Sequence, residues 1–124
     1  MITILIADDH PMVREGLKKT LSEEPDIRIL GEARNAQETR ALVAEHDADV
    51  LVLDISMPGT SGLSLLQDVL RLKKELRVLI LSMHPEERFA IRALKEGAAG
   101  YLTKESAPEE LAQAIRKIAT GRRY

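Results

Sequence analysis

The chain has 124 residues, a formal net charge of −2, no cysteine and three aromatic residues. This length suits one domain, and the composition excludes a disulfide framework, a thiolate metal site and the basic, aromatic-rich surface of a nucleic-acid-binding domain. No apolar run is long enough to span a membrane, and Met1 leads directly into a strand-like run with no signal peptide. We therefore expect a cytoplasmic protein without a membrane partner.

Apolar runs rich in β-branched residues alternate with amphipathic helical patterns along the chain. The runs predict five strands, at residues 2–7, 27–33, 50–54, 77–82 and 98–102. A helical pattern follows each strand, the first from Pro11 to about Glu24 and the second from Asn35 to about His46. Strict alternation predicts an α/β fold whose parallel sheet is covered on both faces. We favour the flavodoxin-like doubly wound order 2-1-3-4-5.

Several helix boundaries carry recognisable local signals. Asn35 with Glu38, and Ser106 with Glu109, have the spacing of a capping box. Gly97 is expected to end the fourth helix as a left-handed cap. Asp9 could cap the first helix in addition to any role in a site.

Carboxylates follow two of the predicted strands. Asp54 ends the central strand, which is apolar throughout, and Asp8 and Asp9 end the first strand. In the favoured order these strand ends meet at the switch point, where ligands bind in open α/β sheets. Like charges ~4 Å apart repel by about 4 kcal/mol at an effective dielectric of 20, so a cation must compensate. Oxygen ligands without His or Cys predict Mg²⁺.

Two further polar groups follow the fourth and fifth strands. Lys104 supplies an ammonium that can pair with a carboxylate or a phosphoryl oxygen, and Ser82 supplies a hydroxyl donor. A metal, a lysine and a hydroxyl around one carboxylate can stabilise the equatorial oxygens of a phosphoryl group during its transfer. The predicted chemistry is formation and hydrolysis of an aspartyl phosphate on Asp54.

Four motifs together resemble the receiver domain of two-component response regulators, and the resemblance covers essentially the whole chain. The motifs are Asp8-Asp9, Asp54-Ile55-Ser56-Met57-Pro58-Gly59, Leu81-Ser82-Met83-His84 and Gly100-Tyr101-Leu102-Thr103-Lys104. The amino-acid sequences of residues 8–17 and 81–84 are similar to those of the family branch whose members carry a C-terminal helix-turn-helix domain of the LuxR/NarL type. Residues 121–124 resemble the beginning of that branch's linker.

The resemblance implies a role for each residue of the site. Asp54 would be the phosphoacceptor and Lys104 would bind the phosphoryl group. Asp8 and Asp9 would hold Mg²⁺, with Asp9 favoured as the direct ligand, and the backbone carbonyl of Ser56 would complete the metal site. Ser82 would be the switch hydroxyl, and Tyr101 would turn inward when Ser82 moves to the phosphate.

The same resemblance implies how the protein works. A sensor histidine kinase would be the phosphoryl donor, and the domain would be a signalling phosphoacceptor that catalyses only its own phosphorylation and dephosphorylation. Residues 1–120 would form the receiver domain, and 121–124 would begin a linker to an absent output domain. DNA would be bound only through that output domain, and phosphorylation could produce a homodimer.

Two departures from the family pattern affect the site. Glu105 follows Lys104 where many receivers have a proline, often with a cis bond. Met83 is bulky where many receivers have a small residue after the switch hydroxyl, so it is expected to change the rates of phosphorylation and hydrolysis rather than abolish them.

Other functions fit parts of the pattern. A single-domain phosphorelay protein would have an identical site. An aspartyl-phosphate phosphohydrolase would need a second Asp two residues after the nucleophile, where Ser56 stands. The acidic cluster disfavours a pseudo-receiver, and the lack of a Ser/Thr/Gly-rich phosphate loop disfavours a flavin-binding module. We expect the three histidines to be surface residues, and the basic residues near the C-terminus to form a solvated helix end: Arg116, Lys117, Arg122 and Arg123.

Overall fold

Five strands and five helices alternate in the computed structural model, which describes residues 1–55, 57, 62–82, 87–122 and 124, with residues 87–90 described by their backbone alone. The strands are β1 (Ile2–Ala7), β2 (Ile27–Ala33), β3 (Val50–Asp54), β4 (Arg77–Ser82) and β5 (Gly100–Thr103). The helices are α1 (Pro11–Ser22), α2 (Ala36–Glu45), α3 (Gly62–Leu72), α4 (Glu87–Lys95) and α5 (Ala107–Ala119).

The strands form one parallel sheet in the order β2-β1-β3-β4-β5. This order confirms the flavodoxin-like prediction, and it places β1 beside β3 with Ala7 opposite Leu53. Because the two strands run in the same direction, the residues that come next along the chain, Asp8 and Asp54, lie at the same level of the sheet. The register therefore brings the carboxylates of the two strands together.

A hydrophobic core lies on each face of the sheet. In β3, Leu51 and Leu53 face the core that includes α2, α3 and α4, whereas Val50 and Val52 face the core that includes α1 and α5. Successive strand residues point to opposite faces, so a strand covered on both sides must be apolar at every core position. All five residues of β3 are buried, and only the last is charged.

Two of the predicted helix boundaries are confirmed. The backbone N–H of Glu38 donates to Asn35 Oδ1 over 2.8 Å, so Asn35 caps α2. The Glu38 carboxylate instead accepts a hydrogen bond from the backbone N–H of Arg34, over 3.1 Å. The second hydrogen bond of a capping box, from the backbone N–H of Asn35, is therefore not made by this oxygen. Gly97 has a backbone φ of +114°, which residues with a Cβ atom rarely adopt, and it follows the last turn of α4 as predicted.

The predicted capping box of Ser106 with Glu109 is wrong. The backbone of Ser106 is already helical, with φ −86° and ψ −13°, and its side chain makes no capping hydrogen bond. A capping side chain needs an extended backbone to reach the second or third amide of the helix. Ser106 Oγ instead lies 2.8 Å from Thr103 Oγ1. The fifth strand also begins at Gly100 rather than at residue 98.

The C-terminal residues contact the domain. Tyr124 donates its backbone N–H to the carbonyl of Ala99 over 2.9 Å and its hydroxyl to Glu110 Oε1 over 2.5 Å. The pKa of Tyr124 is raised because this hydrogen bond to Glu110 is lost when the phenol ionises.

The described part of the chain contains no helix of the length and apolarity needed to cross a lipid bilayer.

Arg116 is not merely part of a solvated helix end. Its guanidinium binds Asp26 through Nε–Oδ2 and Nη2–Oδ1 contacts of 2.8 and 2.9 Å, and Nη2 lies 2.6 Å from Glu24 Oε2. This forked hydrogen bonding lowers the pKa of Asp26 to about 2. The contact ties α5 to the loop between α1 and β2.

We expect Arg116→Gln to remove stability selectively above pH 4. The folded pKa of Asp26 lies below its ordinary value of 3.8, so its contribution is present above that pH and is lost as the pH falls to about 2. The Tm difference between wild type and Arg116→Gln should therefore shrink over this window. Lys19→Gln removes an equal charge from an exposed helical site and controls for net charge. A pH-independent Tm difference would contradict the expectation.

Candidate functional site

The carboxyl ends of β1 and β3 bring together two buried carboxylates. Asp8 is fully buried and Asp54 is 1% exposed. The backbone N–H of Asp8 donates to Ala33 O over 2.9 Å, and that of Ile55 donates to Leu81 O over 3.2 Å, so neighbouring strands hold both chain exits. The structure thus places Asp8 and Asp54 at one edge, as the sequence predicts.

Lys104 supplies the cation that these carboxylates require. Its Nζ lies 3.1 Å from Asp8 Oδ2 and 3.1 Å from Asp54 Oδ2, and its side chain is 7% exposed. Its backbone N–H donates to the carbonyl of Ser82 over 2.7 Å, so the end of β4 determines where the lysine leaves β5. A buried carboxylate is costly unless it is paired, and Lys104 pairs with both.

Asp9 adds a third carboxylate to the cluster. The pKa of Asp9 is raised, first because partial burial disfavours its charged form and second because of a hydrogen bond shared with Asp54. A single lysine therefore does not neutralise the cluster. Asp9 does not cap α1, because the residue at the cap position is His10 and its side chain makes no capping hydrogen bond.

His10 belongs to this cluster, although its sequence pattern suggested only a surface residue. Its side chain is half exposed, yet Nδ1 lies 3.0 Å from Asp9 Oδ1 and 3.2 Å from Asp8 Oδ1. The backbone N–H of His10 also donates to Asp8 Oδ1 over 2.8 Å. The signal for this placement was Pro11, because a residue before proline is forced into an extended conformation, and His10 has φ −98° and ψ 110°.

Arg14 is a second residue that the sequence analysis missed. Its Nη1 donates to the backbone carbonyl of Asp8 over 2.6 Å, and its Nε donates to Glu32 Oε1 over 3.0 Å. Arg14 follows His10 by one helical turn and so points back toward the end of β1. It holds the backbone of Asp8 rather than the carboxylate.

The donor atoms fit a divalent cation. Asp8, Asp9, His10 and Asp54 each offer one ligand atom, and these atoms all lie within 4.8 Å of one another. Asp8 Oδ2 and Asp9 Oδ1 are buried without a hydrogen bond, although Lys104 Nζ and His10 Nδ1 lie 3.1 and 3.0 Å from them. These contacts have the distance of an ion pair but not hydrogen-bond geometry. A metal ion would satisfy both oxygens.

The remaining predicted site residues lie close to this edge of the sheet or outside the described residues. Ser82 is 5% exposed at the end of β4, the strand next to β3. Tyr101 is partly buried on β5, opposite Ile80, and packs against the core that includes α3 and α4. Ser56 and Met83 lie outside the described residues. Among the residues that are described, no peptide bond is cis, and this includes the bond between Lys104 and Glu105.

The structure is a doubly wound parallel α/β domain with an acidic cluster and a lysine at its switch point, the place where open α/β sheets bind ligands. The chain belongs to the response regulator receiver domain family, whose model matches residues 4–116. Its curated relatives and solved neighbours place it in the LuxR/NarL-type branch of that family.

Two curated relatives illustrate the match. The chain is 40% identical over 119 residues to the nitrate/nitrite response regulator protein NarL of Escherichia coli, covering 96% of this chain and 55% of that protein. It is 36% identical over 124 residues to the response regulator GacA of Pseudomonas aeruginosa, covering 100% of this chain and 58% of that protein. The chain thus spans little more than half the length of these relatives.

Two solved structures share the fold. A two-component response regulator of the LuxR family from Aurantimonas matches with a TM-score of 0.91 and 39% identity, over 98% of this chain and 86% of that one. The response regulator domain of Thermotoga maritima CheB matches with a TM-score of 0.89 and 27% identity, over 97% of each chain.

Proposed function

We propose that Asp54 accepts a phosphoryl group from a sensor histidine kinase and that its phosphorylation switches the conformation of this domain. The observation that carries the proposal is the buried Asp54 carboxylate, held 3.1 Å from Lys104 Nζ beside two further carboxylates. A buried nucleophile next to a lysine ammonium, at the place in the fold where ligands bind, suits phosphoryl transfer.

The transfer forms one bond and breaks one. A carboxylate oxygen of Asp54 bonds to phosphorus while the bond between phosphorus and the imidazole nitrogen of the donor breaks, and the imidazole keeps the electron pair and takes a proton. Lys104 then pairs with a phosphoryl oxygen in place of Asp54 Oδ2. Asp8, Asp9 and Asp54, with the backbone carbonyl of Ser56, would hold Mg²⁺, which when bound supplies positive charge to the phosphoryl oxygens.

The proposed switch uses Ser82 and Tyr101. Ser82 ends β4, directly beside the strand that carries Asp54, so its hydroxyl is near the position of a phosphoryl group on that residue. Tyr101 on β5 packs against the core that includes α4, and it would move inward when Ser82 turns to the phosphate. The result is a shift between two populated arrangements rather than a new structure.

The full-length protein would then be a cytoplasmic transcription regulator. Residues 1–120 would form its receiver domain, residues 121–124 would begin the linker, and a C-terminal helix-turn-helix domain would bind DNA. The name of one relative supports this proposal, since the protein from Brevibacillus brevis is a transcriptional regulatory protein. A homodimer formed on phosphorylation is part of the proposal. The domain itself would catalyse only its own phosphorylation and dephosphorylation.

Intact-mass spectrometry tests the assignment of Asp54. We expect one phosphoryl adduct after incubation with acetyl phosphate and Mg²⁺, and no adduct with EDTA or in Asp54→Ala. The matched control is Asp47→Ala, because Asp47 is a carboxylate whose side chain is 91% exposed and pairs with Lys73. An adduct of equal stoichiometry in Asp54→Ala would overturn the proposal.

A further inference from the structure

We propose that His10 is a metal ligand and that the acidic cluster binds a divalent transition-metal ion, such as Mn²⁺ or Zn²⁺, through His10 Nδ1 as well as carboxylate oxygens. This inference concerns the same site as the proposed function and depends on it only for the presence of a cation among the carboxylates. It adds a residue and a class of metal that phosphoryl transfer with Mg²⁺ does not require.

The distances around His10 Nδ1 are those of a coordination shell. Nδ1 lies 3.0 Å from Asp9 Oδ1, 3.2 Å from Asp8 Oδ1 and 3.9 Å from Asp54 Oδ2. Around an ion with bonds of about 2.1 Å, neighbouring ligands of an octahedron are separated by about 3 Å and opposite ligands by about 4 Å. His10 Nδ1 therefore lies where it could share one ion with the carboxylates, and the four donor atoms all lie within 4.8 Å of one another.

The backbone holds His10 in this position. Its N–H donates to Asp8 Oδ1 over 2.8 Å, and Pro11 restricts it to the extended conformation that turns its ring over the cluster. A ligand that is already in place loses little conformational freedom when the metal binds. The ring remains half exposed, so an ion can enter from solvent beside it.

Buried donor atoms independently indicate a ligand. Asp8 is fully buried, and its Oδ2 makes no hydrogen bond, although the Lys104 ammonium lies 3.1 Å away. Lys104 Nζ also lies 3.2 Å from His10 Nδ1, so the lysine stands among the same donor atoms that the ion would contact. Binding of the ion would displace this ammonium from the centre of the cluster.

The donor set determines which metals gain from His10. Mg²⁺ prefers oxygen ligands and retains several waters, so an imidazole adds little to its binding. Imidazole suits Zn²⁺, Cu²⁺, Fe²⁺ and Ni²⁺ best, and the affinity of sites with nitrogen and oxygen ligands rises from Mn²⁺ toward Cu²⁺ and remains high for Zn²⁺. The cluster should thus bind Zn²⁺ more tightly than Mg²⁺, and His10 should account for much of the difference.

Pulsed electron paramagnetic resonance of the Mn²⁺-loaded protein tests the coordination directly. We expect a ¹⁴N coupling in the wild type that disappears in His10→Ala and His10→Gln. It should persist in His46→Ala, because His46 directly follows α2 and its Nδ1 lies 3.1 Å from the carbonyl oxygen of Leu42 in that helix. Bound Mn²⁺ without a ¹⁴N coupling in the wild type, or a coupling that survives His10→Ala, would overturn the inference.

Competition against a metal-sensitive dye supplies a second measurement. We expect His10→Ala to weaken Zn²⁺ binding by about tenfold or more and to leave Mg²⁺ binding within about twofold of the wild type. Equal Zn²⁺ affinity in both proteins would contradict the inference. The acetyl phosphate assay separates the two proposals, because phosphorylation with Mg²⁺ but no ¹⁴N coupling overturns only this one. A ¹⁴N coupling without phosphorylation overturns only the proposed function.

Discussion

Lys104→Met is expected to destabilise the metal-free domain by about 3–5 kcal/mol, because removing one partner from a buried ion pair leaves the other charge uncompensated. Here the loss is shared by two carboxylates, since Lys104 Nζ lies 3.1 Å from both Asp8 Oδ2 and Asp54 Oδ2. Urea unfolding in EDTA measures the free energy of unfolding. Mg²⁺ at one hundred times its Kd should stabilise each protein that binds it, the wild type as well as the variant, by about 2.7 kcal/mol, so the comparison between them is made in EDTA.

Lys73→Met is the matched control. Lys73 pairs with Asp47 at 2.6 Å, but the Asp47 side chain is 91% exposed, so water replaces the lost contact. Exposed ion pairs of this kind contribute roughly 0–1 kcal/mol. A loss below about 1 kcal/mol for Lys104→Met in EDTA would contradict the expected contribution of this buried ion pair.

Gly62→Ala is expected to destabilise the domain by about 1–3 kcal/mol and to slow phosphoryl uptake, because the added methyl group has no space. A Cβ on Gly62 would lie 2.8 Å from the carbonyl oxygen of Ile55 and 3.0 Å from its Cα. Ile55 follows Asp54 directly, so relief of this contact must shift the backbone beside the phosphoacceptor. Urea unfolding and the rate of adduct formation measure the two effects.

Gly16→Ala should have the opposite effect on stability. Gly16 lies within α1, and a Cβ there would have no atom within 4 Å. Alanine in an exposed helical position is more stable than glycine by about 0.5–1 kcal/mol. The same chemical change is made in both variants. Opposite signs of their changes in the free energy of unfolding, each relative to the wild type, would therefore identify the contact of Gly62 with Ile55 as the cause. Equal stabilisation in both variants would contradict the expected role of Gly62.

Most of the fold was accessible from local patterns. β3 is apolar at each position before Asp54 because both of its faces are covered, and this pattern can be recognised without knowing its neighbours. The Asn35 cap of α2 was also predictable, because the capping hydrogen bond joins residues only three positions apart. The Ser106 cap was predicted and is wrong, since the backbone of Ser106 is helical and its hydroxyl lies 2.8 Å from Thr103 Oγ1, neither of which the capping-box spacing reveals.

The residues of the candidate site also fall into two groups, those that the sequence predicted and those that only the structure revealed. Asp8, Asp9, Asp54 and Lys104 were predicted because each follows a strand, and parallel strands end at one edge of a sheet. His10 lies at the start of α1 and Arg14 lies within it, so their roles depend on how α1 follows β1: His10 Nδ1 reaches Asp9 Oδ1, and Arg14 Nη1 reaches the Asp8 carbonyl. Residue type and spacing do not specify such contacts.

The sequence by itself determined the order of the elements, the apolar faces of the strands and the carboxylates at their ends, because these depend on periodicity and on residue type. The tertiary structure alone decided which charges compensate one another. Arg116 pairs with Asp26 across 90 residues, and Lys104 divides its contacts equally between Asp54 and Asp8, which the order of the strands alone does not specify. Ion pairs depend on distances of a few ångströms between side chains, and these distances follow from the packing of helices on the sheet rather than from any local pattern.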